Sequence, residues 1–134
     1  MVYLFINASP NKGGSTARIA RDYFKGQDYK QVNLVDYNIK QLGQDDARDD
    51  FEEVRMEIQN ANDVVIGTPV YWSDMTGLLK TFIDRHVDTD NNYAGKKLKI
   101  IVQGFSPTND EVKAISHIMQ HWAERFKMTY GGII

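Results

Sequence analysis

Short runs of β-branched and aromatic residues alternate in this chain with segments that repeat apolar residues at helical spacing, and that alternation leaves few folds open. Val2–Ile6, Val32–Val35, Val64–Ile66 and Leu98–Val102 read as strands, with Met128–Ile134 a weaker fifth interrupted by Gly131 and Gly132. Between them come four helical sets: Ile19, Ala20, Tyr23 and Phe24; then Phe51, Val54, Ile58 and Ala61; then Met75, Leu78, Leu79, Phe82 and Ile83; and last Val112, Ile115, Met119, Trp122 and Phe126. Strands alternating with helices argue for a parallel sheet covered on both faces. The expected architecture is therefore α/β, a three-layer sandwich of five parallel strands in the order 2-1-3-4-5. With 134 residues and no linker, repeat or low-complexity tract, residues 1–134 are expected to form a single domain.

Composition closes off several functions. Sixteen Lys and Arg against 18 Asp and Glu give a net charge of −2, and no long same-sign run suggests nucleic acid or an anionic membrane as a partner. One acidic cluster, Asp45-Asp46 and Asp49-Asp50-Phe51-Glu52-Glu53, falls at a predicted helix start, where carboxylates favour the helix dipole. There is no cysteine, so disulfides, thiolate catalysis and cysteine-ligated clusters are excluded for this sequence. No apolar run approaches the roughly 18 residues of a membrane span, and Val2–Ile6 is too short for a signal-peptide core, so a cytoplasmic protein is expected.

Two loops carry the chemistry. Each follows an apolar run, and so falls at the carboxyl end of a parallel strand, where open α/β sheets bind ligands. In Ser9-Pro10-Asn11-Lys12-Gly13-Gly14-Ser15-Thr16, the glycines let backbone amides turn inward, Ser9, Ser15 and Thr16 add hydroxyls, and a helix starting near Ser15 aims its positive end at the same place. These are the parts of a phosphate site. A strand–helix turn with Ser15 as N-cap explains the same residues. The triphosphate and dinucleotide glycine fingerprints are both missing, since Gly14 and not lysine precedes Ser15. A single terminal phosphate remains, with Lys12 peripheral.

Gly67-Thr68-Pro69-Val70-Tyr71-Trp72-Ser73 leaves the third strand stiffened by proline and enters a helix near Asp74. Tyr71 and Trp72 are adjacent, so they point in different directions: either both serve the core, or at least one lines a cleft. Gln103-Gly104-Phe105-Ser106-Pro107 leaves the fourth strand and is expected to close the other side of that cleft, with Phe105 packing either on a ligand or over the sheet edge. An anion site beside a site for a flat ring matches flavin mononucleotide (FMN), which has both parts.

Asn7–Thr16 resembles the FMN phosphate loop of the NADPH-dependent FMN reductases and related flavodoxin-like NAD(P)H oxidoreductases. Gly67–Arg85 is similar to their second signature, and Asp36-Tyr37-Asn38-Ile39-Lys40 to the segment after their second strand. The resemblance implies a flavodoxin-like fold, non-covalent FMN, NAD(P)H as co-substrate and a homodimer. By position, Ser9, Asn11, Gly14, Ser15 and Thr16 would take the phosphate, and Pro69, Val70, Tyr71, Trp72, Gly104 and Phe105 would flank the isoalloxazine. Related iron–sulfur flavoproteins carry a cysteine cluster where Gln41-Leu42-Gly43 stands here. Many relatives also continue into a further helix, whereas this sequence stops at Ile134, so one sheet edge is expected to lack its usual cover.

The expected activity is transfer of hydride from NAD(P)H to FMN and on to a small acceptor such as a quinone, azo compound or free flavin. Tyr71, Trp72 and Phe105 would shape the acceptor site, with no catalytic side chain required because the cofactor carries the chemistry. The alternatives are an electron-carrying flavodoxin that meets protein partners, and a cofactor-free domain used for assembly. His117 and His121 fall on the helix side away from Val112, Met119, Trp122 and Phe126, so they face solvent and no metal is expected. Lys80 and Asp84 read as a simple i,i+4 pair, and His86 as a cation favoured at a helix C-terminus.

Overall fold

A computed structural model describes residues 1–45, 47–87 and 93–134. Those residues form β1 (Tyr3–Asn7), α1 (Ser15–Tyr23), β2 (Lys30–Asn33), a 3-10 turn (Leu34–Asp36), α2 (Phe51–Gln59), β3 (Asp63–Pro69), α3 (Gly77–Asp84), β4 (Lys97–Gln103), α4 (Asn109–Arg125) and β5 (Thr129–Ile133). The sheet order is β2-β1-β3-β4-β5, and every pairing is parallel. The doubly wound architecture expected from the alternating periods is the one observed.

Alternation along the central strands divides the core in two. Leu4, Ile6, Val64, Ile66, Leu98 and Ile100 join Val54 and Ile58 of α2, Leu79 and Phe82 of α3, and Ile115, Met119 and Trp122 of α4. Phe5, Val65 and Ile101 point the other way onto Ala17 and Ala20 of α1 and Phe24. Burial on both faces makes these strands read as continuous apolar runs.

Element boundaries differ from the sequence reading where a side chain serves the core from outside regular structure. The second strand ends at Asn33 rather than Val35, because the chain tightens into a 3-10 turn that drops Leu34 into the core and leaves Val35 exposed. The third helix begins at Gly77, not near Asp74; Met75 packs into the core from the loop ahead of it. Ala61 is likewise buried beyond the end of α2. Lys97 pairs in register with Thr129, the Lys99 stem lies across Gly131, with Cγ 2.9 Å from where a Cβ would stand, and its ammonium sits 5.3 Å from the Tyr23 ring centroid.

Candidate functional site

The carboxyl ends of β1, β3 and β4 open at one crest, and hydrogen bonds fasten the three loops there. Ala8 N donates to Gly67 O at 2.8 Å and Val70 N to Gln103 O at 2.8 Å. Thr76 Oγ1 donates to Ala8 O at 2.8 Å. The same Thr76 oxygen accepts from Leu79 N at 3.2 Å, capping α3, while its own amide donates to Thr68 Oγ1 at 3.1 Å. Gly67 is needed for this closeness: a Cβ there would stand 2.5 Å from Thr16 Cγ2 and 2.9 Å from the Phe5 ring.

At the first loop, α1 begins at Ser15, and its N-cap is Gly14, which supplies no side-chain bond. Ser15 is therefore not the cap. The first paired amide is Arg18 N, to Gly14 O at 3.0 Å, so the N–H groups of Ser15, Thr16 and Ala17 have no protein acceptor among the described residues. By contrast, α3 and α4 are capped by Thr76 and Thr108. α2, like α1, has no side-chain bond from its N-cap residue. There, however, Asp49 Oδ1 accepts from Phe51 N and Glu52 and Glu53 fill the first turn, which disfavours an anion, whereas the first turn of α1 carries no acidic residue. Ser9 Oγ accepts from Asn11 N at 3.0 Å and Asn11 Oδ1 from Gly13 N at 3.3 Å. A Cβ on Gly14 would stand 2.7 Å from Asn11 Nδ2, so a larger residue there would displace the Asn11 side chain. Thr16 is buried, and its hydroxyl lies 3.5 Å from Gln103 Oε1, so its backbone faces the anion position while its side chain braces the fourth strand. Lys12 is held by Asp36 at 2.5 Å.

At the second loop, Tyr71 and Asp74 exchange backbone bonds of 2.8 and 3.1 Å around Trp72 (φ 49°) and Ser73 (φ 68°). Two consecutive non-glycine residues in the left-handed region carry strain that the surrounding bonds must hold. The tip lifts Trp72 fully into solvent, with Tyr71 about half exposed, so neither serves the core. Across the crest, Phe105 is also fully exposed. A Cβ on Gly104 would stand 3.2 Å from Val70, which shows how closely the two loops pass. The amides of Val70 and Tyr71 are committed within the protein, whereas those of Trp72, Gly104 and Phe105 make no backbone bond among the described residues. Glu111 joins these loops: bonds from the Thr108 amide and from Ser73 hold its carboxyl below the usual carboxylate range.

The residues that sequence reasoning missed are those that brace the loops. Thr68 and Thr76 are buried, and so is Asn7, whose side chain reaches Asn33 and Asn11. For Asn7 and Thr68 the one sequence signal is a polar residue at the end of an apolar run, and for Thr76 it is a capping residue type just ahead of a helical period. Away from the crest, Asp49 does more than favour a helix dipole. It forms a buried ion pair with Arg85, which also donates to Lys40 O at 2.9 Å and stacks 4.8 Å over Phe51. Burial raises the Asp49 pKa, but Arg85 and the Phe51 and Lys40 amides outweigh it, and the net shift is downward. Glu52 and Glu53 occupy the first turn of α2 as expected; Asp46 lies outside the described residues.

His86 corrects the sequence reading. It is not a cation at a helix end: burial pushes its pKa down to about 4. Phe51, Phe82, Tyr93, Trp122 and Phe126 surround the ring. Nδ1 lies 2.8 Å from Phe82 O and Nε2 lies 2.9 Å from the Tyr93 hydroxyl. A carbonyl can only accept, so Nδ1 carries the proton and the neutral ring closes the end of α3. His117 and His121 are exposed on α4, and Lys80 and Asp84 pair at 2.6 Å. A groove of about 430 Å³ lined by Ile83, His86, His117 and Trp122 opens between α3 and α4, towards their carboxyl ends and away from the crest. No helix of the described residues is long and apolar enough to cross a membrane.

Comparison with known proteins places this arrangement. An iron-sulfur flavoprotein of Archaeoglobus fulgidus is 37% identical over 97 residues, which cover 63% of this chain and 48% of the relative. A putative NAD(P)H-dependent FMN-containing oxidoreductase of Bacillus subtilis, YwqN, is 30% identical over 92 residues, covering 63% of this chain and 51% of the relative. The chain thus spans about half the length of these relatives. The Trp repressor binding protein of Bacillus subtilis has a similar fold, with a TM-score of 0.77 at 22% identity, over 98% of this chain and 84% of the other. The model of the NADPH-dependent FMN reductase family matches residues 1–132, and the chain belongs to that family.

Proposed function

We propose that this chain binds FMN across its crest and acts as an NAD(P)H oxidoreductase, passing electrons to a small planar acceptor such as a quinone, azo compound or free flavin. The carrying observation is the pairing, at one crest, of an uncapped α1 terminus with three exposed aromatic side chains, Tyr71, Trp72 and Phe105. Family membership supports the same reading.

The residues present fit the cofactor. The Ser15, Thr16 and Ala17 amides and the Ser9 and Ser15 hydroxyls would hold the phosphate monoester, helped by the positive end of α1. Pro69, Val70, Tyr71 and Trp72 on one side and Gly104 and Phe105 on the other would flank the ring. Ring hydrogen bonds would come from the Trp72, Gly104 and Phe105 amides, because those of Val70 and Tyr71 are taken. Bound FMN supplies hydride acceptance from reduced nicotinamide and onward reduction of the acceptor. The chain's own part is orientation: the Tyr71–Asp74 turn fixes Trp72, and Gln103 accepts from Val70 N and lies by the Thr16 hydroxyl, tying the second loop to the first.

The same reading includes a homodimer, which rests on the family resemblance and which sedimentation velocity tests, and a cytoplasmic location, expected from the sequence and the place where reduced nicotinamide is held. For the activity, protein loaded with FMN should bleach near 450 nm on adding NAD(P)H and recover when a quinone follows. Bleaching that needs a separate reductase would favour the electron-carrier alternative, and no uptake of FMN would contradict the proposal.

A further inference from the structure

Gln31 and Asn33 lie on the edge strand β2 with side chains opposite to Val32, which enters the main core. In the parallel register Phe5 stands beside Gln31 and Asn7 beside Asn33. This gathers three carboxamides into one patch beneath the phosphate loop. Asn33 Oδ1 accepts from Asn7 Nδ2 at 3.1 Å and from Gln31 Nε2 at 2.8 Å. The two donors also reach upward into the loop. Asn7 Nδ2 lies 3.4 Å from Asn11 O, and Gln31 Nε2 donates to Lys12 O at 3.0 Å.

A trans peptide points its carbonyl and the next N–H in opposite directions. Pinning the Asn11 and Lys12 carbonyls toward β2 therefore turns the Lys12 and Gly13 N–H groups away from it. On that far side, Gly13 N meets Asn11 Oδ1 at 3.3 Å, while Lys12 N makes no backbone bond among the described residues. The Lys12 ammonium is tied to Asp36, just past the same strand.

We infer that Gln31 and Asn33 are positioning residues of the phosphate site: they clamp the loop's carbonyls so that its amides converge, with the α1 terminus, on a phosphate monoester. The inference rests on the FMN reading above and adds residues some 15–20 positions beyond the glycine loop to the binding machinery.

FMN and riboflavin differ in the terminal phosphate, so the ratio of their affinities, read by flavin fluorescence quenching, isolates the phosphate site. Gln31→Met keeps side-chain size on an edge strand and removes the Gln31 amide's bonds to Lys12 O and Asn33 Oδ1; Asn33→Leu removes the shared acceptor. Each should lower FMN affinity about tenfold, the scale of one lost hydrogen bond to a bound group, with riboflavin affinity changed by less than about twofold. Equal weakening of both flavins, or unchanged FMN affinity, overturns the clamp. Should Asn33→Leu fail to fold, Gln31→Met decides alone. Wild-type protein that binds neither flavin overturns the FMN reading itself, and that outcome is distinct from loss of the clamp.

Discussion

Thr76 Oγ1 lies 2.8 Å from the carbonyl oxygen of Ala8, and this one hydroxyl fastens the ring loop to the phosphate loop while capping α3. Thr76→Val removes the cap and leaves a buried carbonyl unpaired. The expected cost is about 2 kcal/mol in urea unfolding, with weaker FMN binding; Thr76→Ser should restore most of both. A valine variant as stable as wild type would show that the bond does not hold the loops.

The buried Arg85–Asp49 pair locks the segment after β2 against the end of α3. Arg85→Leu strands a buried carboxylate and should cost about 3–5 kcal/mol, whereas replacing both partners by apolar residues should cost less than that single change. Equilibrium unfolding of Arg85→Leu, Asp49→Leu and the double variant tests this, and additive losses would contradict it.

His86 gives stability a pH dependence of defined sign. Its folded pKa of about 4 lies below the ordinary value of about 6.5, so the unfolded chain takes up the proton first. The stabilisation is complete above about pH 6.5 and is lost as pH falls toward 4, by about 3 kcal/mol at 1.36 kcal/mol per pH unit. Arg55 and Glu52 of α2 act on the ring in opposite directions and do not reverse this sign. Unfolding free energies of wild type and His86→Phe across that range should diverge in slope, the variant being flatter; parallel curves would contradict the assignment.

Trp72 is fully exposed at φ 49°, so it adds no packing and carries backbone strain. Trp72→Gly should raise stability by about 1 kcal/mol yet raise the KM for a quinone severalfold. A variant that is less stable, or kinetically unchanged, would show that this side chain is not held out for a ligand.

The layer order was legible because strands buried on both faces, such as Val64–Ile66, and one-sided helices, such as the one carrying Ile115, Met119 and Trp122, impose different periods on the sequence. The two ligand loops were legible because glycine, proline and paired aromatics break those periods at strand ends. The braces were not. Asn7 meets Asn33, Asp49 meets Arg85 and Thr76 meets Ala8 across 26, 36 and 68 positions, and only the folded register brings them together. His86 misled for a related reason: a histidine after a helix suits a cation until five aromatic rings, several from distant elements, close over it.

The most direct test of the shared crevice is amide chemical-shift mapping of ¹⁵N-labelled protein titrated with FMN. The account predicts the largest shifts at Lys12, Gly13, Ser15 and Thr16 together with Trp72, Gly104 and Phe105, and little change along the carboxyl ends of α3 and α4. Shifts centred on the groove by His117 and Trp122, or confined to one of the two loops, would contradict it.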